Sequence, residues 1–253
     1  MIFETHMHIF DNKYEGIRDD IIKESLAVGV TKMIAVGFDH ESSLKAIELS
    51  EKYPFIYAAI GLHPSEVQKE NDIDLKWVYD LSRNKKVIAI GEIGLDYYWD
   101  KTYVNLQKEM FIKQIKISQE VNLPIIVHSR DAISDTYEIM KENPTKGVLH
   151  CFSSSLEMAR EFVKLGYYIG IGGVVTFKNS KEIKRVVSGI DVKYLLTETD
   201  SPYLAPVPFR GTINKPSYIP LIIDEISKIK CMNKEIIEDI MYKNACSLFS
   251  LKD

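Results

Sequence analysis

What the sequence withholds narrows its reading. Cysteine is scarce: Cys151, Cys231 and Cys246 form no Cys-x-x-Cys pair and leave one over. That excludes a disulfide scaffold and a thiolate zinc site, and suits thiols kept reduced. No apolar run approaches the ~18 residues that a spanning helix needs, and no basic stretch leads into an apolar one at the start, so neither a membrane span nor a secretory leader is expected. An excess of positive charge is missing too. A net charge of −4 offers no broad basic face for gripping long nucleic acid, so any attraction to phosphate must be local, and bound divalent cations could supply it. There is no linker, low-complexity tract, charge block or fixed-period repeat. The expectation is one domain over residues 1–253, cytoplasmic, off the membrane and without an obligate protein partner.

What is present is a regular alternation. Short runs rich in Ile and Val fall at 2–8, 32–36, 56–60, 87–90, 124–128, 147–150, 167–171 and 194–198, eight in all. Segments of helical period separate them, at 14–28, 41–52, 75–83, 105–121, 132–143, 156–165 and 181–188, and two more follow at 217–228 and 233–249. Strand and helix in turn give βα units around a parallel sheet, and 253 residues suffice to close eight of them, so the fold class is α/β, a TIM-type (β/α)8 barrel. In the segment 105–121, Leu106, Met110, Ile117 and Val121 form a stripe that can lie on the barrel, leaving Lys108, Lys113, Lys116 and Glu120 in water. In the last helix Asn244 is the odd polar member of an apolar face and reads as a buried amide tying down the end of the chain.

The chemistry collects at the ends of the strands. Strand one ends in Glu4-Thr-His6-Met-His8, whose two imidazoles share a face because side chains alternate along a strand. The third runs into Gly61-Leu-His63-Pro64, the fourth into Gly91-Glu92-Ile-Gly-Leu-Asp96-Tyr97-Tyr98, and the fifth into His128-Ser-Arg130-Asp131. The sixth runs into His150-Cys-Phe-Ser153 and the eighth into Glu198-Thr-Asp200-Ser-Pro202. Five of the six histidines stand at such ends, and His40, the exception, reads as a surface residue at a helix start. Imidazole and carboxylate are ligands of divalent metals, and a barrel gathers its strand ends onto one face.

Taken in this order, the blocks Glu-Thr-His-Met-His, Gly-Glu-Ile-Gly-Leu-Asp-Tyr-Tyr, His-Ser-Arg-Asp, His-Cys-Phe-Ser and Glu-Thr-Asp-Ser-Pro-Tyr resemble the signature blocks of the TatD family of metal-dependent hydrolases, over nearly the whole chain. The resemblance implies two divalent ions, Mg, Mn or Zn, and a nuclease acting on DNA, typically from strand ends. It implies that His6, His8, Glu92 and Asp200 hold one ion while Glu92, His128 and His150 hold the other, with Glu92 bridging. One carboxylate can serve two ions about 3.5–4 Å apart, which an imidazole nitrogen cannot. One departure is visible: Glu4 stands where the family usually has Asp, which bears on local packing and hydrogen bonding more than on the ligands themselves.

The expected reaction is attack of a metal-activated hydroxide on a phosphodiester phosphorus. Asp200 serves as ligand and general base, and His63 contacts phosphate or protonates the leaving group, or else caps the turn before Pro64. Arg130 and Arg210 are candidate phosphate clamps, Arg130 being equally able to pair with Asp131 or Glu198; Glu198 itself is expected to orient a histidine or Arg130. Tyr97, Tyr98, Trp99, Phe177 and Tyr203 could stack on unpaired bases or wall the pocket, and Cys151 is expected to pack as a small hydrophobe. The same ligands also suit other ester or amide hydrolysis, deacylation of D-aminoacyl-tRNA among them, and a barrel that only binds is the third reading.

Overall fold

The computed structural model describes residues 1–70 and 75–252. Eight parallel strands pair in sequence order: β1 (Ile2–Met7), β2 (Val30–Val36), β3 (Ile56–Ile60), β4 (Val87–Asp96), β5 (Ile125–Arg130), β6 (Gly147–Leu149), β7 (Tyr168–Ile171) and β8 (Leu195–Thr197). A parallel bridge from Met7 to Ser201 closes the barrel between β1 and the chain beyond β8. Below it, the Thr5 hydroxyl donates to the Thr197 carbonyl at 2.9 Å and the Thr197 hydroxyl to the Phe3 carbonyl at 3.1 Å, so side chains hold part of the seam that elsewhere is backbone.

The helices are α1 (Arg18–Ala27), α2 (His40–Lys52), α3 (Lys76–Ser82), α4 (Val104–Val121), α5 (Ile133–Glu142), α6 (Leu156–Lys164), α7 (Lys181–Gly189), α8 (Ile219–Lys230) and α9 (Lys234–Leu248). None among the described residues is long and apolar enough to cross a membrane. Helix α1 starts four residues later than the periodicity predicts, because Gly16 takes a positive φ of 75°. The buried Tyr14 stands outside it, in a 3-10 turn, its hydroxyl donating to the Asn214 carbonyl at 2.6 Å. Asn244 behaves as its pattern predicts: its amide donates to the Val192 and Leu195 carbonyls at 2.8 and 2.9 Å.

Two elements differ from their predicted form in ways that shape the site. Strand β4 runs on to Asp96, well past Ile90, because Gly91 and Gly94 are not turn residues here; they sit where the sheet is too crowded for a side chain. A Cβ on Gly94, at φ 139°, would lie 2.0 Å from the His128 carbonyl oxygen. On α4 the buried stripe is Gln107, Met110, Phe111, Gln114, Ile115 and Ser118, rotated from the expected one, with Leu106, Ile117 and Val121 only half-buried. The two glutamines belong inside because each completes an open backbone edge. Gln107 accepts from the Asp96 N–H and donates to its carbonyl at 2.9 and 3.0 Å, and Gln114 does the same for Leu62 at 2.7 and 3.0 Å.

Alternation then sorts the barrel interior by depth. Ile126, Val148 and Leu196 belong to an inner apolar cluster with Phe3, Ile34, Val36 and Ile88, plugged from below by Tyr242 and Phe249 at the end of the chain. Two residues further on come His128 on β5 and, just past the ends of β6 and β8, His150 and Glu198. On β1 the parity changes between Phe3 and His6, and a register shift between Glu4 and Met7 accommodates it, a bulge that re-aims the histidines into the barrel.

Candidate metal centre

Glu92 is the hub. Its Oε2 lies 3.3 Å from His6 Nε2 and 3.8 Å from His8 Nε2, and its Oε1 lies 2.9 Å from His128 Nδ1, 3.4 Å from His150 Nε2 and 3.5 Å from His63 Nε2. Asp200 Oδ1 closes the first group, 3.5 Å from His8 Nε2 and 3.9 Å from His6 Nε2. One carboxylate is thus divided between two sets of imidazoles. The Nε2 atoms of His6 and His8 face each other at 3.4 Å, close enough to share a proton or a cation. Geometric groupings able to hold a metal ion include His6, His8 and Glu92 on one side and His63, Glu92 and His128 on the other. The donors fit borderline and hard divalent cations, with no sulfur among them.

The rings are held from behind. His8 Nδ1 is 2.8 Å from the Val36 carbonyl, which takes its proton and leaves Nε2 free for a ligand role. His128 Nε2 is 3.0 Å from Asp96 Oδ2, so Nδ1 is the atom left to face Glu92. Asp96 received no role from the sequence. Its signal was alternation: on an unbroken strand Glu92, Gly94 and Asp96 share a face, but a strand read as ending at Ile90 hides this.

The charges respond to this crowding. Burial pushes the Glu92 carboxyl up, yet the imidazoles of His150, His63 and His6 overcome it and hold the group well below the usual carboxylate range. For His150, burial works downward, but Glu198 and Glu92 raise it to about 10. Glu4 is pushed up to about 8 by burial, against the hydrogen bonds it accepts from Thr199 and the His6 N–H. Those bonds, at 2.5 Å from the Thr199 hydroxyl and 3.0 Å from each backbone N–H, tie the end of β1 to the segment carrying Asp200. Glu4 thus sets hydrogen bonds beside the candidate ligands His6 and Asp200. Asp200 itself, at φ 56°, sits in the left-handed region, sparsely used by non-glycine residues, after β8 has ended.

The remaining candidates divide. His8, His63, Glu92, His128, Asp200 and Tyr203 are among the residues lining an open cavity of about 260 Å³. His63 both caps its turn, accepting from the Ser65 N–H at 3.1 Å, and reaches Glu92. Arg130 and Arg210 lie outside that lining. Arg130 lies over the Tyr98 ring at 3.8 Å and Arg210 over the Phe177 ring at 4.2 Å, and neither is ion-paired among the described residues, so the expected pairing of Arg130 with Asp131 or Glu198 is not formed. Tyr97 departs from its expected place beside Tyr98. It packs against the core and its hydroxyl donates to Asp135 at 2.8 Å, because neighbouring residues on extended chain face opposite ways. Tyr98 and Trp99 remain exposed, edge to face at 4.8 Å. His40 is exposed at the start of α2, as predicted, with Trp77 beside it at 5.0 Å.

Known proteins resemble this chain over nearly its whole length. The pattern of the family described as TatD related DNase matches residues 3–250. The chain is 45% identical to the uncharacterized metal-dependent hydrolase YabD of Bacillus subtilis, over 99% of this chain and 100% of that one. It is 38% identical to the uncharacterized metal-dependent hydrolase MJ1582 of Methanocaldococcus jannaschii, over 97% and 96%. Among solved structures it superposes on YjjV, a TatD homolog from Escherichia coli K12, with a TM-score of 0.94 at 30% identity, covering 99% of this chain and 98% of that one.

Proposed function

The chain belongs to the TatD family of metal-dependent hydrolases, and we propose that it hydrolyses phosphodiester bonds of DNA, working from single-stranded or frayed ends. The observation that carries this reading is Glu92, one carboxylate with an oxygen turned to each of two imidazole sets. His6, His8, Glu92 and Asp200 would hold one cation and Glu92, His128 and His150 the second. A pair of Mg, Mn or Zn ions bound there makes water a nucleophile near neutral pH and draws charge from the phosphate.

The chain's own groups supply the rest. Asp200 accepts the proton of the attacking water, a role suited to a carboxylate held ionised by His8 and His150 against its burial. His63, which burial and His128 hold below the usual imidazole range, accepts the Ser65 N–H at Nδ1 and so carries its proton on Nε2, at the same cavity, where it can donate to a phosphate oxygen. Arg130 and Arg210 keep their paired N–H donors for phosphate oxygens, and Tyr98 and Trp99 offer exposed faces for unpaired bases.

The test is direct. Single-stranded oligonucleotides labelled at the 3′ or the 5′ end should shorten stepwise with Mn2+ and stay intact with chelator. A D-aminoacyl-tRNA should keep its aminoacyl group under the same conditions. Deacylation without shortening would assign the site to ester hydrolysis; inertness toward both, with metal bound, would leave only a binding barrel.

A further inference from the structure

His6 and His150 come from strands far apart in the sequence, yet their rings lie stacked, with centroids 3.7 Å apart and planes 18° from parallel. Both turn Nε2 toward Glu92, but toward different oxygens, so each ring belongs to a different half of the centre. An imidazole that offers Nε2 as a ligand carries its proton on Nδ1, and a buried N–H needs an acceptor. His8 finds one in the Val36 carbonyl and His128 holds its own second nitrogen against Asp96. The Nδ1 atoms of His6 and His150 are buried and form no aligned hydrogen bond.

Behind the His150 ring, and near that of His6, stands Glu198. It is 1% exposed, its Oε1 lies 3.4 Å from His150 Nδ1, and its Oε2 is buried without a partner. Ligand-capable atoms of His6, His150 and Glu198 lie within 4.8 Å of one another. The fold makes room for this carboxylate: a Cβ on Gly170 would come 2.6 Å from Oε2, and the Cys151 N–H donates to Oε1. A buried carboxylate with an open oxygen, beside two buried nitrogens each needing an acceptor, is one unmet arrangement seen from three sides.

We infer that Glu198 is a positioning residue shared by both halves of the metal centre, its carboxylate accepting from Nδ1–H of His6 and of His150, so that one side chain couples the two cation sites. This rests on the two-cation reading. It differs from an ordinary supporting carboxylate, which steadies one ligand of one ion. Loss of Glu198 must therefore weaken both ions, whereas loss of Asp96 must weaken one.

The experiment titrates the wild-type chain, Glu198→Ala and Glu198→Gln with Zn2+ against a chromophoric chelator, and records the imidazole 15N and N–H resonances of the Zn2+-loaded protein. The wild type should take up two equivalents and show Nδ1–H protons on His6, His8 and His150. In Glu198→Ala the resonances of His6 and His150 should shift together while that of His8, held by Val36, stays put, and affinity should fall at both sites by about 10–100-fold. Glu198→Gln keeps an acceptor oxygen and should lose less. Affinity lost at one site only, affinity unchanged, or an Nε2–H proton on either ring of the wild type overturns the proposal. The wild-type spectrum decides this even if Glu198→Ala does not fold. Fewer than two equivalents in the wild type tells against the two-cation reading instead, which separates the two failures.

Discussion

At the scale of single residues, the site is a set of side chains that are stable only in each other's company. Glu92, His6, His8 and His150 are buried and His63 and His128 half-buried, and each is compensated by the next. Replacing His128 or Asp200 by Ala should therefore remove a ligand or a proton acceptor without unmaking the barrel. Turnover on a labelled single strand should fall at least about a hundredfold with an unchanged circular dichroism spectrum; near-normal rates in either variant would contradict the assignment. Arg210→Ala should raise KM while metal content stays the same, since Arg210 rests on Phe177 and lies outside the cavity lining. The cluster of candidate ligands was legible in the sequence because alternation puts His6 with His8 and because strand ends of a barrel converge. Asp96 and the separate fates of Tyr97 and Tyr98 were not, since both depend on how far β4 continues.

At the scale of elements, polar side chains do part of the work usually given to apolar packing. Gln107 and Gln114 lie on the buried stripe of α4 and complete the backbone of Asp96 and Leu62, next to the loops that carry Tyr97 and His63. A helical period read from apolar residues alone cannot find them, which is why the predicted stripe was rotated. Gln114→Leu should leave the Leu62 N–H and carbonyl unpaired and cost about 1–3 kcal/mol, read as a lower urea midpoint; no change would mean that the backbone finds water there. Gly94→Ala should be worse placed still. Its Cβ would meet the His128 carbonyl oxygen, so the register of β4 against β5 must give way and metal uptake should fall with stability.

At the scale of the whole molecule, the barrel separates two tasks along its axis. The lower interior is apolar and closed by Tyr242 and Phe249, and the upper interior carries largely buried carboxylates and imidazoles beside an open cavity. That division follows from strands whose inward positions change from Ile, Val and Leu to His and Glu within two residues, and so the fold class was readable from alternation and order. The seam between β1 and β8 was less so, because hydroxyls, the Glu4 carboxylate and a short run of backbone hydrogen bonds beyond β8 make it. Each cation that binds only the folded chain should raise its Tm by about 5–10 °C at a hundredfold excess over Kd, an increase that a chelator should abolish. The most direct measurement is an anomalous-difference map from crystals grown with Mn2+. The account predicts two peaks on opposite sides of the Glu92 carboxylate, one against His6, His8 and Asp200 and the other against His128 and His150. A single peak, or peaks that Glu92 does not touch, would contradict it.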